Sequence, residues 1–176
     1  MLMPELPEVE TIARGLSKVL VGRRIKRVRT VFPGIVKQNC SLFRREINQR
    51  TIRAVRRRGK YLLIDLSGDK TILVHLGMTG SFLFATNNPK GSKGSRLDKH
   101  DHVVFTFCDS NAILRYNDQR KFGKMKVFDT QDEAKLPELK KLGPEPLDIS
   151  SSEFVRLFRG RKGRIKPALL NQQIVS

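Results

Sequence analysis

The stretch MPELPEVE, Met3 to Glu10, sets two prolines among three glutamates, and its chemistry turns on Pro4. Inside a polypeptide the Pro4 nitrogen is a tertiary amide with no usable lone pair. As a first residue, after loss of Met1 to Met3, it would be a secondary amine with a pKa of about 8, partly neutral at physiological pH and therefore nucleophilic. Attack of that amine on a sugar C1′ gives an iminium ion whose positive charge is fixed, because a secondary amine has no second proton to lose. The cation acidifies the neighbouring carbon, as β-elimination of a phosphate requires. Glu5 could donate or take the accompanying protons. The competing reading is purely structural: Pro4 and Pro7 shape a helix entrance, and Glu8 and Glu10 complement its dipole.

The elements that must hold these residues are legible from periodicity. Val9, Ile12, Ala13, Leu16 and Leu20 recur at helical spacing, which predicts a helix from about Pro7 to Leu20 stopped by Gly22. After it the period shortens. Runs rich in β-branched and aromatic residues at 25–32, 51–66, 70–84, 101–108, 111–118 and 123–129 predict strands, with turns at Ser67-Gly68-Asp69 and Asp109-Ser110-Asn111. Many short neighbouring strands imply antiparallel sheets packed as a sandwich. Residues 86–99, rich in Asn, Gly, Ser and Lys, predict a mobile loop. The prolines of LGPEPLD, Leu142 to Asp148, predict a linker. Beyond it Ser150 to Ser152 can cap a helix carrying Phe154, Val155, Leu157 and Phe158, and PALLNQQIV predicts a second helix that runs to the last residue. The expected class is α+β: an amino-terminal helix on an antiparallel β-sandwich over residues 1–140, a linker over 141–150, and the start of a helical domain over 151–176.

Composition narrows the partners. Thirty-five Lys and Arg against seventeen Asp and Glu leave a net charge of +18, a surplus that repels itself and suits a polyanion, nucleic acid first. No apolar run approaches the roughly 18 residues of a membrane span, and the acids near the start are unlike a signal peptide, so the cytoplasm is expected. Cys40 and Cys108 belong to no C-x-x-C pair and read as buried or idle thiols, and no metal site is recognisable. His75 reads as a structural histidine and His100 as exposed.

The whole chain resembles the formamidopyrimidine-DNA glycosylase family, bacterial enzymes that excise oxidised purines. The likeness lies in MPELPEVETIARGL, RRGKYLL (from Arg57), HLGMTG (from His75), KHDHV (from Lys99), RYNDQRKFG (from Arg115), LGPEPL (from Leu142) and IKPALLNQQIVS (from Ile165). The resemblance implies that Pro4 is the nucleophile, that Glu5 is the general acid, and that Lys60, in a turn between two strands, holds phosphates beside the lesion. The bland alternative for Lys60 is one solvated charge among the five of RAVRRRGK. Met78, Arg120 and Phe122 match the residues that fill the gap left by an extruded nucleotide and meet the orphaned base. Lys166 matches a lysine near the lesion pocket, and His102 of KHDHV joins the DNA-binding set. Arg159, Arg161, Lys162 and Arg164 read as solvated charges.

The implied partner is duplex DNA bearing oxidised purines or abasic sites, bound by a monomer in the bacterial cytoplasm, at the nucleoid. The implied chemistry is glycosylase action followed by β,δ-elimination. No cofactor is expected in this chain; the family's structural zinc sits in a four-cysteine finger that the sequence lacks, as it lacks the GIGN-type segment of the helix-two-turns-helix domain. A truncated form with weak or no activity is therefore expected. Met1 and Leu2 precede the family's start and would block Pro4. Two alternatives remain open: a glycosylase of the endonuclease VIII type acting on oxidised pyrimidines, and a DNA-binding module without catalysis.

Overall fold

The structure, a computed structural model, describes residues 4–86 and 97–176. The leader residues Met1 to Met3 and most of the loop expected at 86–99 lie outside the described residues.

Helix α1 spans Leu6–Leu20, with Pro7 in its first turn and Glu5 as N-cap. Glu5 donates its backbone N–H to Glu8 Oε2 at 3.0 Å, which satisfies one group outside the helical hydrogen-bond ladder. Val9, Ala13, Leu16 and Leu20 are all buried, one stripe that lies against strand β2. Strands β1 (Ile25–Thr30), β2 (Ile52–Arg58), β3 (Tyr61–Leu66), β4 (Lys70–His75), β5 (Gly80–Thr86), β6 (Asp101–Phe107), β7 (Ala112–Asp118) and β8 (Lys124–Asp129) follow. They form two four-stranded antiparallel sheets, β1-β6-β7-β5 and β2-β3-β4-β8, the expected sandwich. The inner faces and α1 share one core that includes Leu20, Ile25, Leu62, Ile72, Phe105 and Tyr116.

The run YLLIDL of β3 lacks alternation because both of its faces are covered. Leu62 and Ile64 enter the main core, while Leu63 packs outward with Leu73 and Leu139. Leu139 comes from a short helix, α3 (Pro137–Lys140), that lids this outer face. Helix α2 (Cys40–Ile47) was not anticipated; only Phe43 and Ile47 of its eight residues are buried, too little stripe to read. Asn39 announces it, its side chain accepting from the Ser41 and Leu42 backbone N–H groups.

Helix α4 (Ser151–Phe158) begins at a capping box of Ser150 and Glu153. Helix α5 covers only Ile165–Leu169, shorter than PALLNQQIV implied. Ile174, Val175 and Ser176 instead fold back and are buried, tied by Gly143 N–H to Gln172 O at 2.8 Å and Ser176 N–H to Pro144 O at 3.0 Å. Backbone pairing with the Leu142–Glu145 segment outweighs helix propensity there.

One charged node joins helix, sheet and returning chain. Arg57, with a side chain 6% exposed, donates to Glu10 of α1 at 2.8 Å and to Glu145 at 2.7 Å. Glu145 also accepts from Arg58 and from the Gly59 backbone N–H. Arg56 pairs with Asp65 and Glu133. The arginines of RAVRRRGK are therefore largely neutralised inside the fold, which corrects their reading as solvated charges. Hydrogen bonds from Arg57 and then Arg14 hold the Glu10 carboxyl below its usual value. Burial alone would raise Glu145, but Arg57, Gly59 and Arg58 outweigh it and lower the carboxyl too.

The other organiser is Asp118, fully buried at the end of β7. Its carboxylate accepts from Gly123 N–H at 2.8 Å, Arg120 N–H at 3.2 Å and Thr79 Oγ1–H. It thereby joins the β4–β5 turn to the β7–β8 loop. The loops are pressed onto Tyr116, whose hydroxyl donates to Leu76 O at 3.1 Å. A Cβ on Gly123 would lie 1.6 Å from that hydroxyl oxygen, and one on Gly77 would lie 2.8 Å from Gly123 N. Only glycine permits this approach.

Two outcomes follow for stability. Gly123→Ala destabilises the chain by about 3 kcal/mol in urea unfolding, and Tyr116→Phe in the same chain recovers part of the loss by removing the clashing oxygen. Because Glu10 and Glu145 titrate below 4.5 when folded, their stabilisation is complete above that pH and is lost as pH falls through the lowered values. Arg57→Met costs about 3 to 5 kcal/mol at pH 7 and reduces this acid-dependent loss to what Arg14, Arg58 and the Gly59 N–H sustain, as urea titrations at pH 7, 4.5 and 3 will report.

Candidate functional site

The β2–β3 turn, fixed by Glu145 through Gly59, carries Lys60 toward the start of α1. Its ammonium lies 2.5 Å from Glu5 Oε2. Lys60 is only 9% exposed, a buried cation rather than one of a solvated run. Pro4, one peptide bond before Glu5, is half-buried. This corner opens on a cleft of about 200 Å³ whose other walls include Leu6, Pro146, Phe154, Leu170 and Val175. The charged residues of that lining are Glu5 and Lys60 alone. Among apolar walls an ion pair and any entering charge interact more strongly than in water. Chemically the corner offers a carboxylate able to move a proton, a cation able to hold an oxyanion, and the Pro4 nitrogen next to both.

Met78 stands on the β4–β5 turn, and Arg120 and Phe122 on the β7–β8 loop. They are distant in sequence but mutually in contact: Arg120 Nη1–H reaches Met78 Sδ at 3.5 Å, and the guanidinium lies 4.8 Å from the Phe122 ring centroid. Phe122 is 50% exposed, an unusual state for a large aromatic ring. Lys121 between them has a positive φ of 59° and sets its ammonium 4.5 Å from the Phe32 ring centroid. A strained backbone, a stacked cation and a protruding ring make a stiff tip of a size to enter a base stack.

His102 does not belong to this surface. A register shift between Asp101 and Val103 turns both Asp101 and His102 inward, and His102 is 2% exposed, its Nε2 2.7 Å from Asp118 O. It props the loop from behind, and the expectation of direct DNA contact is corrected. His100, half-exposed, takes the outward position of the same motif, its carbonyl accepting Asp118 N–H at 3.0 Å. His75 is structural as expected. Burial, then Lys124 and Lys60, push its pKa down, so the neutral ring accepts Gly77 N–H through Nδ1 at 3.1 Å. Lys166 is exposed in the first turn of α5; its helix reaches the cleft through Leu169 and Leu170, and Lys166 stands outside that lining. Cys108 is exposed and Cys40 half-exposed, so neither is a buried thiol.

Sequence reasoning named the tips and missed what holds them. Asp118 closes RYND and Glu145 sits inside LGPEP, both within motifs already singled out, but a buried acid at a strand end has no periodic signature. A carboxylate placed between arginine-rich and glycine-rich segments was the available signal.

The family model described as the formamidopyrimidine-DNA glycosylase N-terminal domain matches residues 3–125. The formamidopyrimidine-DNA glycosylase of Ligilactobacillus salivarius is 41% identical over 176 residues, covering 99% of this chain and 61% of its own length. That of Methylocella silvestris is 41% identical over 182 residues, covering 99% and 62%. The chain thus spans about three-fifths of the length of the curated relatives it matches. Among solved structures, the Lactococcus lactis glycosylase bound non-covalently to DNA containing an abasic site has a TM-score of 0.85 at 35% identity, covering 98% of this chain and 64% of that one. The same protein with DNA containing N7-benzyl-Fapy-dG has a TM-score of 0.86. On the family model and these relatives, this chain belongs to the formamidopyrimidine-DNA glycosylase N-terminal domain family.

Proposed function

We propose that this chain carries the catalytic portion of a base-excision repair enzyme, a bifunctional DNA glycosylase and abasic-site lyase acting on oxidised purines in duplex DNA. The observation that carries the reading is the 2.5 Å Glu5–Lys60 pair beside Pro4 at the mouth of a mostly apolar cleft, together with the Met78, Arg120 and Phe122 tip.

The chemistry follows from these positions. In the free protein Lys60 is held by Glu5. A DNA phosphate entering the corner competes for the ammonium and releases the carboxylate for proton transfer. Phe122 and Met78 occupy the space of the extruded nucleotide, and the guanidinium of Arg120 donates to the unpaired base opposite, a cytosine in the case of 8-oxoguanine. The neutral Pro4 nitrogen attacks C1′ as the glycosidic bond breaks. The base departs with a proton supplied through Glu5, and the sugar ring opens to an iminium ion. Loss of a C2′ proton expels the 3′ phosphate, a further elimination expels the 5′ phosphate, and water releases the sugar fragment. The route requires Pro4 to be the first residue of the working protein.

The residues present do not fit a zinc centre: Cys40 opens α2 and Cys108 follows β6, and the described residues contain no group of three or more His, Cys, Asp or Glu able to hold a metal. No step runs through a metal, and we place the family's structural zinc in the share of the relatives' length that this chain does not span. No helix among the described residues is long and apolar enough to cross a membrane. One observation favours a wider lesion range: the Lactococcus lactis relative has been solved with DNA containing an oxidised pyrimidine.

Borohydride trapping on 8-oxoguanine, oxidised-pyrimidine and abasic duplexes tests the reading. A protein beginning at Pro4 forms a covalent adduct, while Glu5→Gln slows release of 8-oxoguanine by roughly 10²-fold or more and Lys60→Ala weakens trapping on every duplex. Equal trapping by the form that retains Met1 to Met3 would exclude Pro4 as the nucleophile, and a preference for the oxidised pyrimidine would reassign the substrate.

A further inference from the structure

Exposed cations without an acidic partner also line strand β1. Strand β1 is an edge of its sheet, and its register with β6 shifts between Ile25 and Arg27. The bulge inserts one residue into the in-and-out alternation, so Lys26 and Arg27 are both exposed while Ile25 and Val28 both remain buried. Arg29 is exposed as well. A bulge that re-aims side chains is a recurring device at functional surfaces.

These cations line a depression, not a convex edge. One hollow of about 350 Å³ is walled by Arg27, Arg29, Thr30, Arg44 and Thr106, with Val28 and Val104 at its base. A second of about 590 Å³ has Lys26, Arg27, Asn48, Gln49 and Thr106 among its walls. Arg27 and Thr106 belong to both, which makes one continuous groove, and neither lining contains an aspartate or glutamate. Arg44 is held in place by hydroxyls, Thr30 Oγ1 at 2.8 Å and Ser41 Oγ at 3.2 Å, so its orientation is fixed while its charge stays available. Gln49 has a positive φ of 66°, backbone strain of the kind found at binding sites. In the described residues Lys26, Arg27, Arg29 and Arg44 have no acidic partner within salt-bridge distance, in contrast to Arg56, Arg57 and Arg58, whose charges the fold consumes.

The Lys26–Arg27 end of the groove sits at the β6–β7 turn end of the sheet, by Asn111 and Ile113, with Asp118 and the tip six residues or about 20 Å further along β7. The Thr30–Arg44 end runs beside Val103, toward the tip. Cations on an edge strand also deter strand pairing. That role needs neither a groove free of acids nor an arginine braced by hydroxyls.

We propose that this groove is a second, sequence-independent binding site for the phosphate backbone of duplex DNA, separate from the lesion-facing surface, so that one molecule holds two duplex segments. The partner's class follows from what lines the groove. Guanidinium and ammonium groups with neutral amides and hydroxyls suit phosphates. The aromatic ring in the lining, Phe107, is buried at 3% and offers no face for stacking the bases of a single strand. The proposal rests on the reading of the chain as a DNA-binding protein, yet its test is independent of lesion recognition.

Two differently labelled undamaged 20-base-pair duplexes are mixed with the protein at low salt, and their co-association is read by energy transfer alongside sedimentation stoichiometry. Two duplexes per protein are expected. The triple variant Lys26→Ala, Arg27→Ala, Arg29→Ala, all surface positions, loses the second duplex and the energy transfer, and the logarithmic salt dependence of total binding becomes shallower by about three. Arg120→Ala with Phe122→Ala leaves the second event intact and weakens capture of an abasic duplex, which separates failure of this proposal from failure of the repair reading. One duplex per wild-type protein, or a triple variant that still bridges, overturns it. So does a triple variant whose only loss is binding to anionic phospholipid vesicles or to single-stranded RNA.

Discussion

The position of the Glu5–Lys60 corner depends on Arg57. A guanidinium almost withdrawn from solvent is held between a carboxylate of the first helix and one that follows the sandwich. Burial opposes the arginine's charge, and Glu145 and Glu10 more than restore it. Loss of both acids would strand a buried guanidinium, so the three elements are joined more firmly than apolar contact alone would join them. The consequence for the site is geometric. Glu145 also grips the Gly59 backbone N–H, the residue before Lys60, while Glu10 fixes the helix whose first residues are Pro4's neighbours. Two parts of the chain more than fifty residues apart are thus brought to a 2.5 Å contact between Glu5 and Lys60.

The tip obeys a similar logic with a different donor set. Asp118 is a buried acceptor surrounded by backbone and hydroxyl donors from two loops, and Tyr116 supplies the hard surface against which the glycines close. Burial, then Asp118 nearby, raise the Tyr116 phenol well above its ordinary range, so it remains a neutral donor throughout the physiological range. On the proposed reading, rigid loops matter because a ring meant to enter a base stack must not fold away from it, and the entropy of ordering it has been met during folding. His102 and His75 brace the two loops from within the sheets, one at Asp118 O and one at Gly77 N–H.

Much of this was legible in the chain. The α1 stripe, the strand runs and two turns could be read from period and turn chemistry, and the motifs placed Pro4, Glu5, Lys60, Met78, Arg120 and Phe122 in a shared chemistry. Other features were not. Helix α2 buries only Phe43 and Ile47 and is set by an asparagine cap, and α5 stops early because the last residues find backbone partners on Gly143 and Pro144. His102 was placed in the DNA-binding set through its motif, and a register shift turns it inward. The bulge at Lys26 worked in the opposite sense, exposing two adjacent cations where alternation would hide one. Register shifts, buried acids and the fate of each arginine are tertiary outcomes. The same residue type is neutralised in β2 and left open in β1, and only the packed chain distinguishes them.

The central claim is that the Pro4 nitrogen, the Glu5 carboxylate and the Lys60 ammonium form one reactive corner on DNA. The most direct measurement is a crystal structure of the protein beginning at Pro4, reduced with borohydride on an abasic duplex. The account predicts a bond from Pro4 N to C1′, a flanking phosphate within salt-bridge distance of Lys60 Nζ, and Phe122 inside the base stack. A sugar bonded to a lysine, or a duplex lying away from the Glu5–Lys60 cleft, would contradict it.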